Sequence, residues 1–296
     1  MSPVEGALPP DEPEGGGARR PEDALSALLR ELARAPPVAE VGWERLLAPG
    51  AVIGRFELLR RVGQGGFGVV FEAEDRELHR RVAFKALRPN AGGGAPWLAE
   101  EAEAVARLNH PGIVTLYDMG TCDAGPYLVL ELLRGETLAV RLARGPLPPE
   151  AALAIAVRVA SALAHAHAAR VVHRDLKPGN VFLTEEGGVK LLDFGIAHVL
   201  GRDLKSAGTP AFMAPEQRGG GAESPAVDVY AVGALLVTML GGGPPRDEGT
   251  PARYPAGTPR PLVDVIERAL QADPAHRPAD GAALCEALQE AAAALP

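Results

Sequence analysis

Two hydrophobic patterns follow one another along the chain and divide it into two regions. From residue 55 to residue 91 the pattern is strand-like and broken by turn residues. Helical patterns dominate from residue 97 to 108 and again after residue 137. The order predicts a small β-rich lobe followed by a larger, mainly helical lobe.

Two apolar stretches have to be considered as possible membrane spans, and we interpret both as buried helices. Residues 151–172 are Ala-rich but include Arg158 and Arg170. Residues 227–240 include Asp228 and are shorter than the roughly 20 residues that a bilayer requires. We therefore expect no membrane insertion.

The first 54 residues differ in composition from the rest. Residues 1–20 are low-complexity Pro, Gly and Glu and are predicted to be disordered. A short helix is predicted over residues 21–34, because four leucines fall on one of its faces and Pro36 and Pro37 follow it. The segment 1–54 is thus predicted to be a mostly disordered N-terminal extension.

Charge and cysteine content exclude several classes of protein. The 30 Lys and Arg against 38 Asp and Glu leave a formal net charge of −8, which is not the charge of a nucleic-acid-binding domain. Cys122 and Cys285 form no Cys-x-x-Cys pair, so we expect neither a disulfide scaffold nor a cysteine zinc site. The acidic start has no signal-peptide pattern, and we expect a cytoplasmic protein.

The first signal of chemistry is a glycine-rich segment at residues 63–70, GQGGFGVV. Without a Cβ, glycine lets backbone N–H groups approach phosphate oxygens. A flexible turn and a dinucleotide site are alternatives, but the latter needs a following helix and an acidic residue about 20 positions on. Here strand-like residues follow, and Lys85 lies 22 positions after Gly63. The pattern favours a hairpin that closes over a nucleoside triphosphate.

Lys85 ends the sequence VAFK at residues 82–85. In a strand, Ala83 and Lys85 would share one face, which suits an adenine pocket with a cation near the phosphates. A solvated surface lysine is the alternative. An anion to hold this lysine could come from the helix predicted at 97–108, which carries Glu100, Glu101 and Glu103.

Three further motifs follow: HRDLKPGN at 173–180, DFG at 193–195 and APE at 214–216. With the two segments above, they match the protein-kinase motifs in order and spacing. The sequence therefore resembles the protein kinase family, specifically the eukaryotic-like serine/threonine kinases of bacteria. The resemblance covers about residues 55–290. It implies an α+β bilobal kinase fold, with an N-lobe at about 55–133 and a C-lobe at about 134–290.

The resemblance implies a role for each motif residue. Asp175 would be the catalytic base, and Lys177 would neutralise the transferred phosphoryl group. Asn180 and Asp193 would hold Mg²⁺, with Mn²⁺ as an alternative, because hard cations prefer oxygen ligands.

The resemblance also implies the ATP site. Lys85 would bind the phosphates and pair with Glu101, in preference to Glu100 and Glu103. In the hinge, Leu130 would be the gatekeeper, and the backbones of Glu131 and Leu133 would bind adenine. The remaining implied ATP contacts are Gly63, Gln64, Gly65, Gly66, Phe67, Gly68, Val70, Ala83 and, beneath the adenine ring, Phe182.

Other residues are implied to support the site rather than to react. Asp228 would anchor the catalytic loop, and Glu216 would pair with Arg277. A stacked spine would contain His173, Phe194, Val105 and Leu116. We interpret His165 and His167 as plain helix residues.

The resemblance implies transfer of the γ-phosphoryl group of ATP to Ser or Thr hydroxyls of proteins, including autophosphorylation. The serine/threonine class is implied because Lys177 and the segment GTPAFMAPE at 208–216 are typical of serine/threonine kinases. A small-molecule kinase and a pseudokinase that acts as a nucleotide-binding scaffold are the alternatives. Residues 241–260 are poor in helix signals, so the sequence does not predict how protein substrates dock. It also does not predict the oligomeric state or the cellular substrate.

Two hydroxyl residues lie between Asp193 and Glu216, namely Ser206 and Thr209. Thr209 matches a family threonine that touches Asp175 and is expected to be structural. Ser206 is predicted to be the main activating autophosphorylation site, since a phosphate there could pair with the arginine that precedes Asp175.

Overall fold

The computed structural model describes residues 47–65, 68–87, 107–194, 210–221, 224–241 and 254–294. Its strands are β1 (Val52–Ile53), β2 (Phe56–Gly65), β3 (Gly68–Asp75), β4 (Arg80–Leu87), β5 (Leu116–Cys122), β6 (Gly125–Glu131), β7 (Gly135–Thr137), β8 (Val181–Thr184) and β9 (Val189–Leu191). Its α-helices are α1 (Leu138–Leu142), α2 (Pro149–Ala168), α3 (Pro215–Gly219), α4 (Pro225–Met239), α5 (Arg260–Ala269) and α6 (Gly281–Ala293). Short 3₁₀ turns are formed by Pro178–Asn180, Pro210–Phe212 and Pro274–His276.

The N-terminal half of the described chain is built around one antiparallel sheet, with strand order β1-β2-β3-β4-β6-β5. Aromatic side chains fill its core: Phe84 stacks on Tyr127 at 4.6 Å between ring centroids and lies 6.0 Å from Phe56. Phe84 is fully buried, and strand alternation places Ala83 and Lys85 on the opposite face of β4. The predicted β-rich first lobe is confirmed.

This sheet begins before residue 55, where the sequence pattern placed the start of the domain. Val52 and Ile53 pair with Glu57 and Phe56. Leu47 is also buried in the sheet's core. Val52 and Ile53 therefore belong to the sheet, and Leu47 and the partly buried Ile53 pack into its core.

The second lobe has a helical core, as predicted. Helix α4 is apolar on all sides and almost entirely buried, which is the pattern expected of a central helix. Helix α6 crosses α2 so closely that a Cβ at Gly281 would collide with the backbone of Ala164. Asp280 caps the start of α6 by accepting hydrogen bonds from the N–H groups of Ala282 and Ala283.

Helix α2 is the one helix among the described residues whose length and hydropathy would allow a membrane span. Its alanine-rich face, which includes Ala156 and Ala160, packs into the core of the second lobe. Both apolar stretches, 151–172 and 227–240, thus form core helices, as the sequence predicted.

A small sheet, in the order β7-β8-β9, lies where the chain passes from one lobe to the other. Phe182 in β8 pairs with Lys190 in β9, and Leu191 forms a parallel bridge to Ile113. This sheet connects the predicted hinge at the end of β6 with the segment that begins at Asp193.

Several predictions fall outside the described residues. They are the helix at 21–34, most of the helix at 97–108, and most of the segment 241–260. Of the last segment, residues 254–259 are described and contain no helix.

Candidate active site

The glycine-rich segment forms a β-hairpin. Strands β2 and β3 pair as far as Gly65 and Gly68, with Gly63 opposite Val70. Gly68 has a φ of 152°, and a Cβ at this position would collide with the carbonyl oxygen of Ala86. The predicted hairpin is therefore present, and the turn is followed by a strand rather than by the helix that a dinucleotide site needs.

Lys85 lies on β4 opposite Val70, and its side chain is almost fully buried. Its Nζ donates a hydrogen bond to Oδ1 of Asp193 at 2.5 Å. Burial raises the pKa of Asp193, but the charge and hydrogen bond of Lys85, together with the nearby His173 and Lys177, outweigh this effect and hold the pKa below its ordinary value. Glu101, the expected partner of Lys85, lies outside the described residues.

The catalytic-loop candidates lie within hydrogen-bond distance of one another. Lys177 Nζ donates to Asp175 Oδ2 at 2.6 Å. The amide nitrogen of Asn180 donates to the carbonyl oxygen and to Oδ2 of Asp175, at 2.7 and 3.1 Å. The turn Pro178–Asn180 brings the three side chains together by folding the chain back after Lys177.

The donor groups fit a divalent cation that is bound by protein oxygens and by phosphate oxygens together. Because the planar amide of Asn180 turns its nitrogen toward Asp175, its oxygen is left on the other side of the group. Asp193 supplies a carboxylate with a lowered pKa. Within the described ranges, no group of three His, Cys, Asp or Glu side chains could hold a metal ion by itself. Such a site suits a divalent cation that binds through one or two protein oxygens together with substrate phosphates.

Asp228, the buried acid of α4, holds the catalytic loop in place. Its two carboxylate oxygens accept hydrogen bonds from the backbone N–H groups of His173 and Arg174, at 2.7 and 2.9 Å. The predicted anchoring role of Asp228 is confirmed by these contacts.

His167 is also part of this anchor and is not a plain helix residue, which corrects the sequence interpretation. Its Nδ1 accepts the backbone N–H of Gly281 at 2.9 Å, so its Nε2 carries the proton and donates to Asp228 Oδ2 at 2.9 Å. The His167 side chain is only 3% exposed. It links α2, α4 and α6, and a helical pattern alone contains no signal for these distant partners.

The backbone before Asp175 adopts a left-handed conformation, with φ of 66° at Arg174. Such a conformation is unfavourable for a side chain other than glycine. Hydrogen bonds on both sides hold it, since the N–H of Arg174 donates to Asp228 and its carbonyl accepts from Gln217 Nε2 at 3.1 Å. Sequence analysis missed Gln217, whose Oε1 also accepts the N–H of Ala214.

Two spine residues lie together, as predicted. The rings of His173 and Phe194 are 4.7 Å apart. His173 Nε2 also lies 2.9 Å from the carbonyl oxygen of Leu192. These contacts fix the chain on both sides of Asp193. Val105 is outside the described residues.

The predicted hinge begins at the end of β6. Leu130 pairs with Ala83 of β4, so the gatekeeper candidate and the small adenine-pocket candidate are neighbours in the sheet. Glu131 is the last residue of β6, and Leu133 follows it closely. Phe182 lies on β8, opposite Thr137.

A buried ion pair stabilises the far side of the second lobe, as predicted. The guanidinium of Arg277 donates to both carboxylate oxygens of Glu216, at 2.7 and 2.9 Å. It also donates to the carbonyl oxygens of Gln271, Ala272 and Ala226. Five hydrogen bonds thus compensate the burial of this charge.

Four predicted ligand or regulatory residues besides Glu101 lie outside the described residues. They are Gly66, Phe67, Ser206 and Thr209. Their roles stay predictions.

Comparison with known proteins agrees with this geometry. The family model for the protein kinase domain matches residues 56–290, so the chain belongs to the protein kinase family. Its relatives place it among the serine/threonine kinases of the bacterial type. It is 36% identical to the serine/threonine-protein kinase PrkC of Bacillus subtilis over 250 residues, which is 76% of this chain and 39% of that protein.

Two further relatives support the same assignment. The serine/threonine-protein kinase PknL of Mycobacterium tuberculosis is 34% identical over 271 residues, or 83% of this chain and 68% of PknL. The serine/threonine-protein kinase Pkn1 of Myxococcus xanthus is 37% identical over 273 residues, or 82% of this chain and 39% of Pkn1. The match thus spans about two fifths of the length of PrkC and of Pkn1, and about two thirds of PknL.

Proposed function

We propose that the chain transfers the γ-phosphoryl group of ATP to serine and threonine hydroxyls of proteins, including its own. The observation that carries this proposal is the hydrogen-bonded group of Asp175, Lys177 and Asn180 on a loop that Asp228 anchors. A group whose geometry is held by a buried acid is preorganised for phosphoryl transfer, where positioning and charge stabilisation supply most of the catalysis.

Asp175 acts as the base in this proposal. Its carboxylate accepts the proton of the substrate hydroxyl while the hydroxyl oxygen forms a bond to the γ-phosphorus and the bond from that phosphorus to ADP breaks. The ammonium group of Lys177, 2.6 Å from Asp175, is placed to stabilise the negative charge on the transferred group.

Asn180 and Asp193 would hold the divalent cation, which we assign as Mg²⁺ with Mn²⁺ as an alternative. When bound, the cation offsets the charge of the phosphates. Lys85 would contact the α- and β-phosphates, with Glu101 as its helix partner. The buried position of Lys85 supports this role, because a charged lysine in the interior needs anions beside it.

The adenine would lie between the two lobes. The backbones of Glu131 and Leu133 would bind its edge, beyond the gatekeeper Leu130. Val70 and Ala83 would cover one face, with Phe182 beneath the other. The glycine-rich hairpin, with Gly63, Gln64, Gly65, Gly66, Phe67 and Gly68, would cover the phosphates.

We place this activity in the cytoplasm, without nucleic-acid partners or membrane insertion. The formal net charge of −8 supports the absence of a nucleic-acid substrate. The packing of α2 into the core of the second lobe supports its assignment as a core helix rather than a membrane span.

The test is transfer of labelled phosphate from ATP, with Mg²⁺, to the purified chain itself and to a generic basic protein. Asp175→Asn should lower the rate at least about a hundredfold, because the hydroxyl loses its proton acceptor. Asp264→Asn, the same change on the exposed face of α5, serves as the control and should keep the wild-type rate. Label on serine or threonine, and not on tyrosine or a small molecule, is the expected product. Wild-type protein that binds ATP without transferring phosphate would contradict the proposal and favour a scaffold.

A further inference from the structure

Lys190 and Glu131 form an ion pair behind the hinge. Lys190 Nζ lies 2.8 Å from Glu131 Oε2, and the two side chains are only 17% and 26% exposed. The same Oε2 accepts the N–H of Thr115 at 3.3 Å, while the N–H of Glu131 donates to the Thr115 carbonyl at 2.9 Å. The last residue of β6 is therefore held through both its backbone and its side chain.

Lys190 also contacts the segment that precedes β5. Its Nζ donates to the carbonyl oxygen of Ile113 at 3.4 Å. The next residue, Leu191, forms backbone hydrogen bonds to the residues on either side of Ile113, at 2.8 and 3.0 Å. Strand β9 is thus fixed against this segment by a side chain and by its backbone.

In the other direction, β9 leads directly to the proposed metal ligands. The N–H of Leu192 donates to the carbonyl oxygen of Asn180 at 2.9 Å, and Asp193 follows. Across the small sheet, Lys190 pairs with Phe182, the residue proposed to lie beneath adenine. One cation therefore connects the adenine-binding end of the hinge with the strand that positions Asn180 and Asp193.

We propose that Lys190 is a positioning residue for the nucleotide, which acts through Glu131 to hold the hinge in register with Asn180 and Asp193. Removing either charge leaves the other largely buried without its partner, so the hinge backbone must shift or take up water. The inference rests on the proposed function, because it requires that the hinge backbone binds adenine. It predicts a loss of nucleotide affinity and not only of stability.

The test compares Lys190→Met, Glu131→Gln, the double variant and Lys190→Arg. Arg76→Gln is the matched control, because Arg76 forms an ion pair with Glu57 at 3.0 Å at the end of the first sheet opposite the glycine-rich turn. For each folded variant, calorimetry gives the Kd of Mg·ADP, steady-state kinetics give KM for ATP and kcat, and a thermal melt gives Tm.

Lys190→Met should raise the Kd of Mg·ADP and the KM for ATP about three- to tenfold, which corresponds to about 0.7–1.4 kcal/mol. The kcat should change less than KM does. Glu131→Gln should raise Kd and KM to a similar extent. The double variant should be no worse than either single variant, because each substitution removes the same ion pair. Lys190→Arg should restore the affinity, and Arg76→Gln should leave it unchanged.

Unchanged Kd and KM in Lys190→Met, or additive effects in the double variant, would overturn the inference. A lowered Tm with wild-type affinity would do the same, since it shows a merely structural role. Glu131→Gln provides the comparison if Lys190→Met does not fold. Wild-type protein that binds Mg·ADP but transfers no phosphate would contradict the proposed function alone, and a raised Kd in Lys190→Met would still support the inference.

Discussion

Lys85 Nζ lies 2.5 Å from Asp193 Oδ1, and this hydrogen bond joins β4 of the first lobe to the segment after β9. The two residues are 108 positions apart in the chain. Asp193 has a lowered pKa: burial raises it, but the charge and hydrogen bond of Lys85, together with the nearby His173 and Lys177, outweigh that effect. Charges of opposite sign that meet between two lobes are suited to a ligand carrying both phosphates and a cation.

The first prediction concerns the helix partner of Lys85. Lys85→Met should reduce phosphate transfer at least about a hundredfold while the protein stays folded, because the phosphates lose their buried cation. Glu101→Gln should reduce transfer more than Glu100→Gln or Glu103→Gln does. Transfer rates and circular dichroism of the four variants check this. If Glu103→Gln were the most damaging of the three, the assignment of Glu101 would be wrong.

The second prediction concerns regulation. Mass spectrometry of the active enzyme should find phosphate on Ser206, and Ser206→Ala should lower the rate at least about fivefold. The physical reason is that a phosphate carries about −1.5 to −2 charges and could pair with Arg174. Thr209→Ser, which keeps a hydroxyl, should remain active. Full activity of Ser206→Ala would show that the segment is ordered without phosphate.

The third prediction concerns stability of the second lobe. Glu216→Ala should lower the free energy of unfolding by about 3–5 kcal/mol, because it leaves the fully buried Arg277 guanidinium without its carboxylate. Asp264→Ala, which removes the exposed ion pair with Arg260, should cost less than about 1 kcal/mol. Urea unfolding of both variants measures the difference. Equal losses would show that burial of the Glu216 pair is not the decisive factor.

The fourth prediction concerns pH. The Nδ1 of His110 accepts the N–H of Gly112 at 3.0 Å, and its ring stacks on His165 at 5.3 Å. Burial lowers the pKa of His110 below 6.5, and the nearby His165 and Lys190 lower it further. As the pH falls below about 6.5, the unfolded chain therefore binds a proton before the folded chain does, and stability decreases.

The variant His110→Gln should show a smaller loss of stability between pH 7.5 and pH 5.5 than the wild type does. Urea midpoints at the two pH values measure this loss. His276→Gln is the control, because His276 is exposed and pairs only loosely with Asp273 at 3.8 Å. A wild-type pH dependence in His110→Gln would contradict the prediction.

Local features of the site could be predicted from the sequence because the residues involved are close together in the chain. Asp175, Lys177 and Asn180 lie within six positions, and one turn brings them into contact. The glycine-rich hairpin is local in the same sense, and strand alternation was enough to separate Ala83 and Lys85 from Phe84. The Glu216–Arg277 pair, 61 positions apart, was predicted only through the family resemblance.

The sequence by itself determined the order of the two lobes, the core helices and the residue types of the reacting group, since these follow from periodicity and from motifs. The tertiary structure alone decided which polar side chains meet across elements. His167 contacts Asp228 because α2 packs against α4, and Lys190 contacts Glu131 because β9 lies beside the end of β6. Hydrogen bonds act over about 3 Å, so such pairs depend on the exact approach of elements that no local pattern specifies.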